Sequence, residues 1–336
     1  MTNPRWTHRP AAASTVFRAW MRAPTSTLWL GALSFEDRCT ESLRMLAEER
    51  LALGTAMLLD YPTIVRPVTE DQERRSKNRR VFHRLAFDIC PVPIEERRVD
   101  PYSFQGFQDL LREPKSAFTV FDITCMTKIH TLALAATLSQ APADREWAIA
   151  YSIPENYGDL AGTNKTLGWR DILIAPLAET AVLFNETHSR GIIITGHEAD
   201  RLIVALGELD PSGGLIIVAD SPQRPDLRIL SQRRNQKIIR QLTSARRNAW
   251  QQVVVPLAAT AALKEFLARE IELAAQHQAP ILLFPFGPKP LVFLAAFELA
   301  SHYPSSSWFV YPVPVAYDVD YSEGVSKTIW LVSDGG

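Results

Sequence analysis

Residues 118–139 read FTVFDITCMTKIHTLALAATLS, and three kinds of chemistry follow one another in that stretch. Phe118–Ile123 is an apolar, β-branched and aromatic run of strand length, with Asp122 near its end. Such a run suits a strand covered on both faces, as in a parallel sheet. Thr124, Cys125 and Met126 form a corner, and Thr127–Leu138 is a Leu- and Ala-rich helical pattern. Strand, corner and helix make half of a βαβ unit.

The same alternation continues in both directions. Upstream lie a strand at Leu28–Leu33, a helix at Glu36–Leu51, a strand at Ala56–Asp60 and a helix at Glu70–Phe87. A weaker strand at Ile94–Val99 and a helix at Ser103–Arg112 lead into the quoted segment, and a strand at Trp147–Ile153 follows it. Further on, strands are expected at Gly191–Thr195, Leu215–Ala219, Gln252–Pro256, Ile281–Pro285, Trp308–Val313 and Thr328–Val332. The helices between them are Glu198–Leu209, Leu227–Ser244, Thr260–His277 and Leu291–Ala300. Alternation of this kind predicts an α/β fold with mostly parallel sheets and helices on both faces.

The second half repeats the first in particular residues as well as in order. Phe35-Glu36-Asp37-Arg38 is answered by His197-Glu198-Ala199-Asp200-Arg201, and Asp60-Tyr61-Pro62 by Asp220-Ser221-Pro222. Phe121–Lys128 is answered by Phe284–Lys289, and Tyr151-x-x-Pro154-x-x-Tyr157 by Tyr311-x-x-Pro314-x-x-Tyr317. The offsets stay between 160 and 163. The expectation is two tandem Rossmann-like units related by a pseudo-twofold internal duplication. The divisions expected are an N-terminal arm at 1–26 with a short helix around Phe17–Met21, unit 1 at 27–157, a linker or excursion at 158–190, and unit 2 at 191–336.

Composition sets limits. The chain has 336 residues, 46% of them hydrophobic and 22% charged, enough for two ordinary cores and too apolar for long disorder. A net charge of −1 gives no global attraction to nucleic acid or an anionic membrane, so direct nucleic-acid binding is not expected. The basic run Arg74, Arg75, Lys77, Arg79 and Arg80 reads as a solvated helix face. Cys39, Cys90 and Cys125 are odd in number and far apart, which argues against a disulfide framework and fits a reducing, cytoplasmic setting. No apolar run spans a bilayer, no signal peptide is apparent, and neither a metal nor a cofactor is called for.

The repeated polar residues all fall just beyond the carboxyl ends of expected strands, where open α/β sheets bind ligands. Asp122, Thr124, Thr127 and Lys128 form the sharpest cluster. A lysine at a helix start opposes the helix dipole, which suggests an anionic ligand; a structural pairing of Lys128 with Asp122 is the alternative. Gly287 and Lys289 hold the matching place in the second half. Glu36 with Arg38, and Glu198 with Arg201, suit ribose and phosphate or simple ion pairs. Tyr151, Tyr157, Tyr311 and Tyr317 suit base stacking or packing. Arg224 sits in a turn within reach of a phosphate. Asn78 and Asn235 recur in the second helices, where an asparagine usually faces water. No GxSxG elbow, phosphate-binding GxxxxGK[ST] loop, HExxH or GxGxxG occurs, and Gly31 alone is too little for dinucleotide binding.

The stretch Asp122-x-Thr124-x-x-Thr127-Lys128 resembles the strand-four motif of CARF domains, the Rossmann-like sensors of cyclic oligonucleotides in CRISPR-linked immunity. Two such units fused in one chain resemble SAVED domains. The resemblance implies a nucleotide or cyclic oligonucleotide held across two facing units, and a protein effector partner in prokaryotic antiviral defence. Cys125 and Met126 stand where the family usually has two glycines. Pro285-Phe286-Gly287-Pro288-Lys289 keeps a Gly and a Lys but lacks the Asp and Thr, so an asymmetric ligand is expected. Two further readings stay open. One is an enzyme acting on a nucleotide or phosphorylated metabolite by ring-nuclease-like cleavage; the other is a non-catalytic assembly scaffold.

Overall fold

The computed structural model describes residues 8–11, 16, 27–62, 65–66, 68–112, 116–142, 145–157, 168–181, 188–197, 199–221, 224–245, 249–257, 260–318 and 322–333. The expected helix around Phe17–Met21 lies outside them.

In chain order, β1 (His8–Ala11) and β2 (Thr27–Ala32) precede a 3-10 turn at Asp37–Thr40 and α1 (Glu41–Glu48). Next come β3 (Thr55–Asp60), β4 (Val65–Arg66), α2 (Val68–Ile89), β5 (Glu95–Arg98) and α3 (Phe104–Arg112). The quoted segment supplies β6 (Phe118–Asp122) and α4 (Lys128–Ser139), followed by β7 (Glu146–Ile153), β8 (Asn156–Tyr157) and β9 (Trp169–Pro176). The remainder is β10 (Arg190–Thr195), α5 (Ala199–Glu208), β11 (Gly213–Asp220), α6 (Pro225–Ala245), β12 (Trp250–Pro256), α7 (Thr260–Gln276), β13 (Ile281–Pro285), α8 (Lys289–His302), β14 (Ser307–Pro314), β15 (Tyr317–Asp318), β16 (Ser322–Glu323) and β17 (Lys327–Ser333).

These elements form two compact units. The first comprises residues 1–130, 141–167 and 316–336, and the second 131–140 and 168–315. In the first, the sheet order is β1-β17-β7-β6-β2-β3-β5; in the second it is β12-β11-β10-β13-β14-β9. The five strands β2, β3, β5, β6 and β7 pair in parallel, and so do β10–β14. Each set therefore runs third, second, first, fourth, fifth, which is the Rossmann-like order. In each unit the strand order reverses beside the first strand, at β2/β6 and at β10/β13.

The strands form because their residues are apolar on both faces. Every residue of β2 and of β13 is buried. Trp29, Leu43, Leu58, Phe82 and Trp330 belong to the core of the first unit, and Ile193, Leu202, Ile216, Phe284 and Val310 to that of the second. Helix α8 is apolar all round and buried from Pro290 to Ala300, as a helix without a solvent face must be.

Three features depart from the expected layout. The helix expected from Glu36 begins as the 3-10 turn and stops at Glu48. There Arg50 takes a φ of 53°, and Leu51 N–H reaches back to Leu46 O at 3.0 Å, a Schellman closure built without glycine. Strand β9 lies inside the segment read as a linker. It is an antiparallel edge strand on β14, and its exposed first residues dilute the apolar signal. Strand β17, expected in the second unit, pairs antiparallel with β7 in the first and buries Trp330, Leu331 and Val332 there. The last parallel strand of each sheet is thus covered by an antiparallel one, which removes an open edge.

In the second unit the loops after β10 and β13 cross with almost no space between their backbones. A Cβ on Gly196 would stand 2.0 Å from the Phe286 carbonyl oxygen, and one on Gly287 2.3 Å from Ile194 Cγ2. Gly196→Ala is therefore expected to cost about 1–3 kcal/mol of stability through overpacking. Chemical denaturation of the variant measures this; stability equal to the parent would mean that the two loops do not pack this closely.

Candidate functional site

In the first unit, the loops after β2 and β6 leave the sheet at the switch between first and fourth strands, and they meet over a buried ion pair. Arg38, on the 3-10 turn, donates Nε and Nη2 to Glu36 Oε2 at 2.9 and 2.7 Å. Its Nε also reaches Ser322 Oγ at 3.1 Å, and Nη1 reaches the Ser152 carbonyl on β7 at 2.9 Å. Ser322 in turn donates to Glu36 Oε2. The Arg38 guanidinium lies 5.9 Å from the centre of the Tyr151 ring, within cation–π range. Burial, the largest influence, works to lower the Arg38 pKa, but Glu36 foremost among its neighbours opposes it and the net direction is upward. Cys125, from the other loop, donates its thiol to Glu36 Oε1 at 3.6 Å. The Cys39 thiol is held above its ordinary range by burial and then by its bond with Cys125.

The loop after β6 is also fixed by its own polar residues. Asp122 accepts Ser42 Oγ–H on one oxygen and the Thr124 N–H, at 2.8 Å, on the other. Trp29 Nε1 donates to Ser42 Oγ at 3.0 Å, which extends the chain into the core. Thr124 Oγ1 accepts the Ser152 N–H at 2.9 Å. Thr127 Oγ1 accepts the His130 N–H at 3.2 Å, capping α4, and donates to the Pro101 carbonyl at 2.7 Å. Lys128 is the first residue of α4, partly exposed, with no acidic residue in that turn.

The second unit makes the same long contact with different surroundings. Arg201, on α5, donates to the Pro312 carbonyl on β14. Its guanidinium stands 4.5 Å from the Tyr311 ring centre and 5.8 Å from that of Phe286. The turn after β13 passes through buried Gly287, and Lys289 opens α8, again without an acidic residue in the first turn. Arg224 forms a forked pair with Asp226, at 3.0 and 2.7 Å.

The fifteen residues singled out in the sequence thus separate by accessibility. Glu36, Arg38, Asp122, Thr124, Tyr151, Arg201, Gly287 and Tyr311 are buried within the loops and strand ends that they build. Thr127, Lys128, Tyr157, Arg224 and Lys289 are partly exposed. Glu198 and the side chain of Tyr317 lie outside the described residues. The Asp122 oxygens accept from Ser42 and from the Thr124 amide, and these bonds order the loop.

Sequence reasoning missed Ser42 and Ser322, which carry no pattern of their own. It also misread Asn78 and Asn235, which it sent to solvent. Both are buried, and each donates to the first loop of its unit, Asn78 to Ser34 O at 2.9 Å and Asn235 to Gly196 O at 2.8 Å. Their recurrence was the signal. Among the described residues, no group of three or more His, Cys, Asp or Glu is arranged to hold a metal ion, and no helix is long and apolar enough to cross a membrane.

No protein-family model and no curated protein matches the chain. Among solved structures, it is similar to a type III CRISPR defence DNA nuclease activated by cyclic oligoadenylate, with a TM-score of 0.52 and 10% identity over 84% of this chain. The chain spans 65% of the length of that one. At this identity the likeness is one of fold. The rRNA methyltransferase AviRa from Streptomyces viridochromogenes (16% identity, 46% of this chain and 79% of that one) and a universal stress protein from Archaeoglobus fulgidus (11%, 85% and 97%) match with TM-scores of 0.24 each.

Two outcomes follow from the buried groups. Glu36→Ala leaves the Arg38 charge buried without its carboxylate and is expected to cost about 3–5 kcal/mol, read by urea unfolding. His130 is packed against Phe107, accepts the Tyr61 hydroxyl at 2.9 Å, and has its pKa lowered by burial to about 4. Its neutral form alone fits the fold, so this stabilisation is complete above about pH 6.5 and is lost as pH falls towards 4. The loss amounts to about 3 kcal/mol. Unfolding curves at pH 7 and 4.5 should show that decline and its reduction in His130→Gln; identical declines would remove His130 as the cause.

Proposed function

We propose that the chain is a ligand-sensing regulatory protein that binds a nucleotide, of the cyclic oligonucleotide kind, at the carboxyl-end loops of its sheets. The observation that carries this reading is the lysine opening the helix after the fourth strand in both units, Lys128 on α4 and Lys289 on α8. A cation there works against the helix dipole and favours an anion at the site, and the amides of a helix start suit phosphate. The fold likeness to a nuclease activated by cyclic oligoadenylate supports the choice of ligand class, as does the CARF-like spacing of Asp122, Thr124, Thr127 and Lys128.

In this reading the buried residues position the site while the exposed ones touch the ligand. Asp122 and Thr124 hold the loop, and Glu36 and Arg38 support it from below. Lys128 and Thr127 meet a phosphate, Tyr157 offers a ring for stacking, and Lys289 and Arg224 serve the second unit. The bound signal then passes to a protein effector in antiviral defence.

Calorimetry against cyclic di-, tri- and tetranucleotides tests this. A charge-assisted contact is worth about 1.5–3 kcal/mol, so Lys128→Ala is expected to weaken binding roughly 10- to 100-fold with the thermal midpoint unchanged. Absence of heat with every member of the panel, or full binding by folded Lys128→Ala, would overturn the proposal.

A further inference from the structure

A second cluster of charge lies in the first unit, at the carboxyl ends of β3 and β5, and the proposed nucleotide site does not use it. Asp60, Tyr61, Pro62, Gln72, Arg75, Ser76, Arg79 and Arg98 line an open cavity of about 270 Å³. Gln72, Arg75, Ser76 and Arg79 are spaced three and four apart on α2 and so share one face of that helix. The run of arginines and lysine that reads as a solvated face therefore divides. Arg74 turns to Glu70 and Lys77 to Asp37, while Arg75 and Arg79 face the cavity.

Three guanidinium groups meet a single carboxylate in this lining. Arg75 donates Nη2 to Asp60 Oδ1 and to the Tyr61 carbonyl at 2.6 Å. Arg79 donates Nη2 to Asp60 Oδ2 at 2.9 Å and Nε to Glu96 at 3.0 Å. Both Asp60 oxygens are thus engaged. Arg98 stands directly opposite Asp60 in the β3–β5 ladder and lines the cavity, yet makes no ion pair with it among the described residues. With Asp60 and Glu96, the second partner of Arg79, set against three arginines, the cluster carries a formal charge of +1. The Tyr61 hydroxyl, bonded to His130 Nδ1, does not offset that charge.

We propose that this cavity binds a phosphomonoester dianion, either inorganic phosphate or the terminal phosphate of a small molecule. A phosphomonoester turns three non-bridging oxygens to these donors, whereas a phosphodiester within a cyclic ligand has two. Guanidinium forks suit the planar pairs of oxygens on such a group. The volume lies below the roughly 300–1,000 Å³ typical of sites that swallow a whole drug-sized ligand, so one small phosphorylated group fills it. The Asp60–Arg75–Arg79 pairs hold the donors in place, and Arg98 supplies the charge left over. This inference stands apart from the sensor reading, since it uses neither Lys128 nor the β6 loop.

Calorimetry of the full chain with inorganic phosphate, AMP and adenosine tests it. Phosphate and AMP are expected to bind and adenosine to give no heat. Equal affinities assign the cavity to phosphate itself, and tighter AMP assigns it to a phosphorylated small molecule. Arg98 is exposed, so Arg98→Ala should fold normally while weakening both ligands at least tenfold; Arg98→Lys, which keeps charge without the fork, should lose less. Cyclic nucleotide titrations should be unaltered in Arg98→Ala, which separates failure of this site from failure of the other. No heat from phosphate and AMP, or unchanged affinity in Arg98→Ala, would overturn the assignment.

Discussion

In each unit a buried guanidinium starts beside the first strand, passes over the end of the fourth and binds the main chain of the fifth. Arg38 reaches the Ser152 carbonyl and Arg201 the Pro312 carbonyl, each over the ring of the preceding tyrosine. The switch between first and fourth strands opens a crevice in a Rossmann-like sheet, and here a side chain already fills it. Removing such a group from water costs several kcal/mol unless partners surround it. In the first unit Glu36, Ser322 and Tyr151 supply them, so the geometry of the loops follows from the need to satisfy one charge. A ligand at this edge must lie above that layer, on the rim where Thr127, Lys128 and Tyr157 are partly exposed.

The fold was legible because the parallel strands are apolar without interruption and the helices between them follow the 3.6-residue period. Nine of the ten parallel strands need no more than this reading, with β5 as the weak case: its Glu95-Glu96-Arg97-Arg98 is wholly charged and is a strand only because β3 lends it a parallel partner. Antiparallel cover strands are harder. Trp169-Arg170-Asp171 opens β9 with exposed residues, and β17 looks like one more strand of the unit that precedes it. Its true partner, β7, lies more than 170 residues upstream, a pairing that local pattern does not encode.

The site was half legible for a related reason. Polar residues at strand ends can serve a ligand or the backbone, and the amino acids suited to both tasks are the same. Asp122 and Thr124 are spent on Ser42, the Thr124 amide and the Ser152 amide, bonds that close a loop of tight curvature. Asn78 and Asn235 do the same for the first loops, because a buried carbonyl without a partner is costly wherever it falls. Sequence marks such positions as special without saying which of the two tasks they perform. Burial decides it, and burial here depends on residues such as Ser322, which arrives from the far end of the chain.

The two units solve one structural problem with different chemistry, and that difference bears on what each can bind. Around the loop after β6, side chains hold the backbone at a distance: Asp122, Ser42, Thr124 and Cys125 all contribute polar atoms. Around the loop after β13, Gly196 and Gly287 let the backbones touch, and Phe286 and Pro288 replace the polar contacts. The first arrangement sets a thiol and a hydroxyl, those of Cys125 and Thr127, beside Lys128 in the chain; in the second, buried Phe286 and Gly287 lead through Pro288 to Lys289 at the helix start.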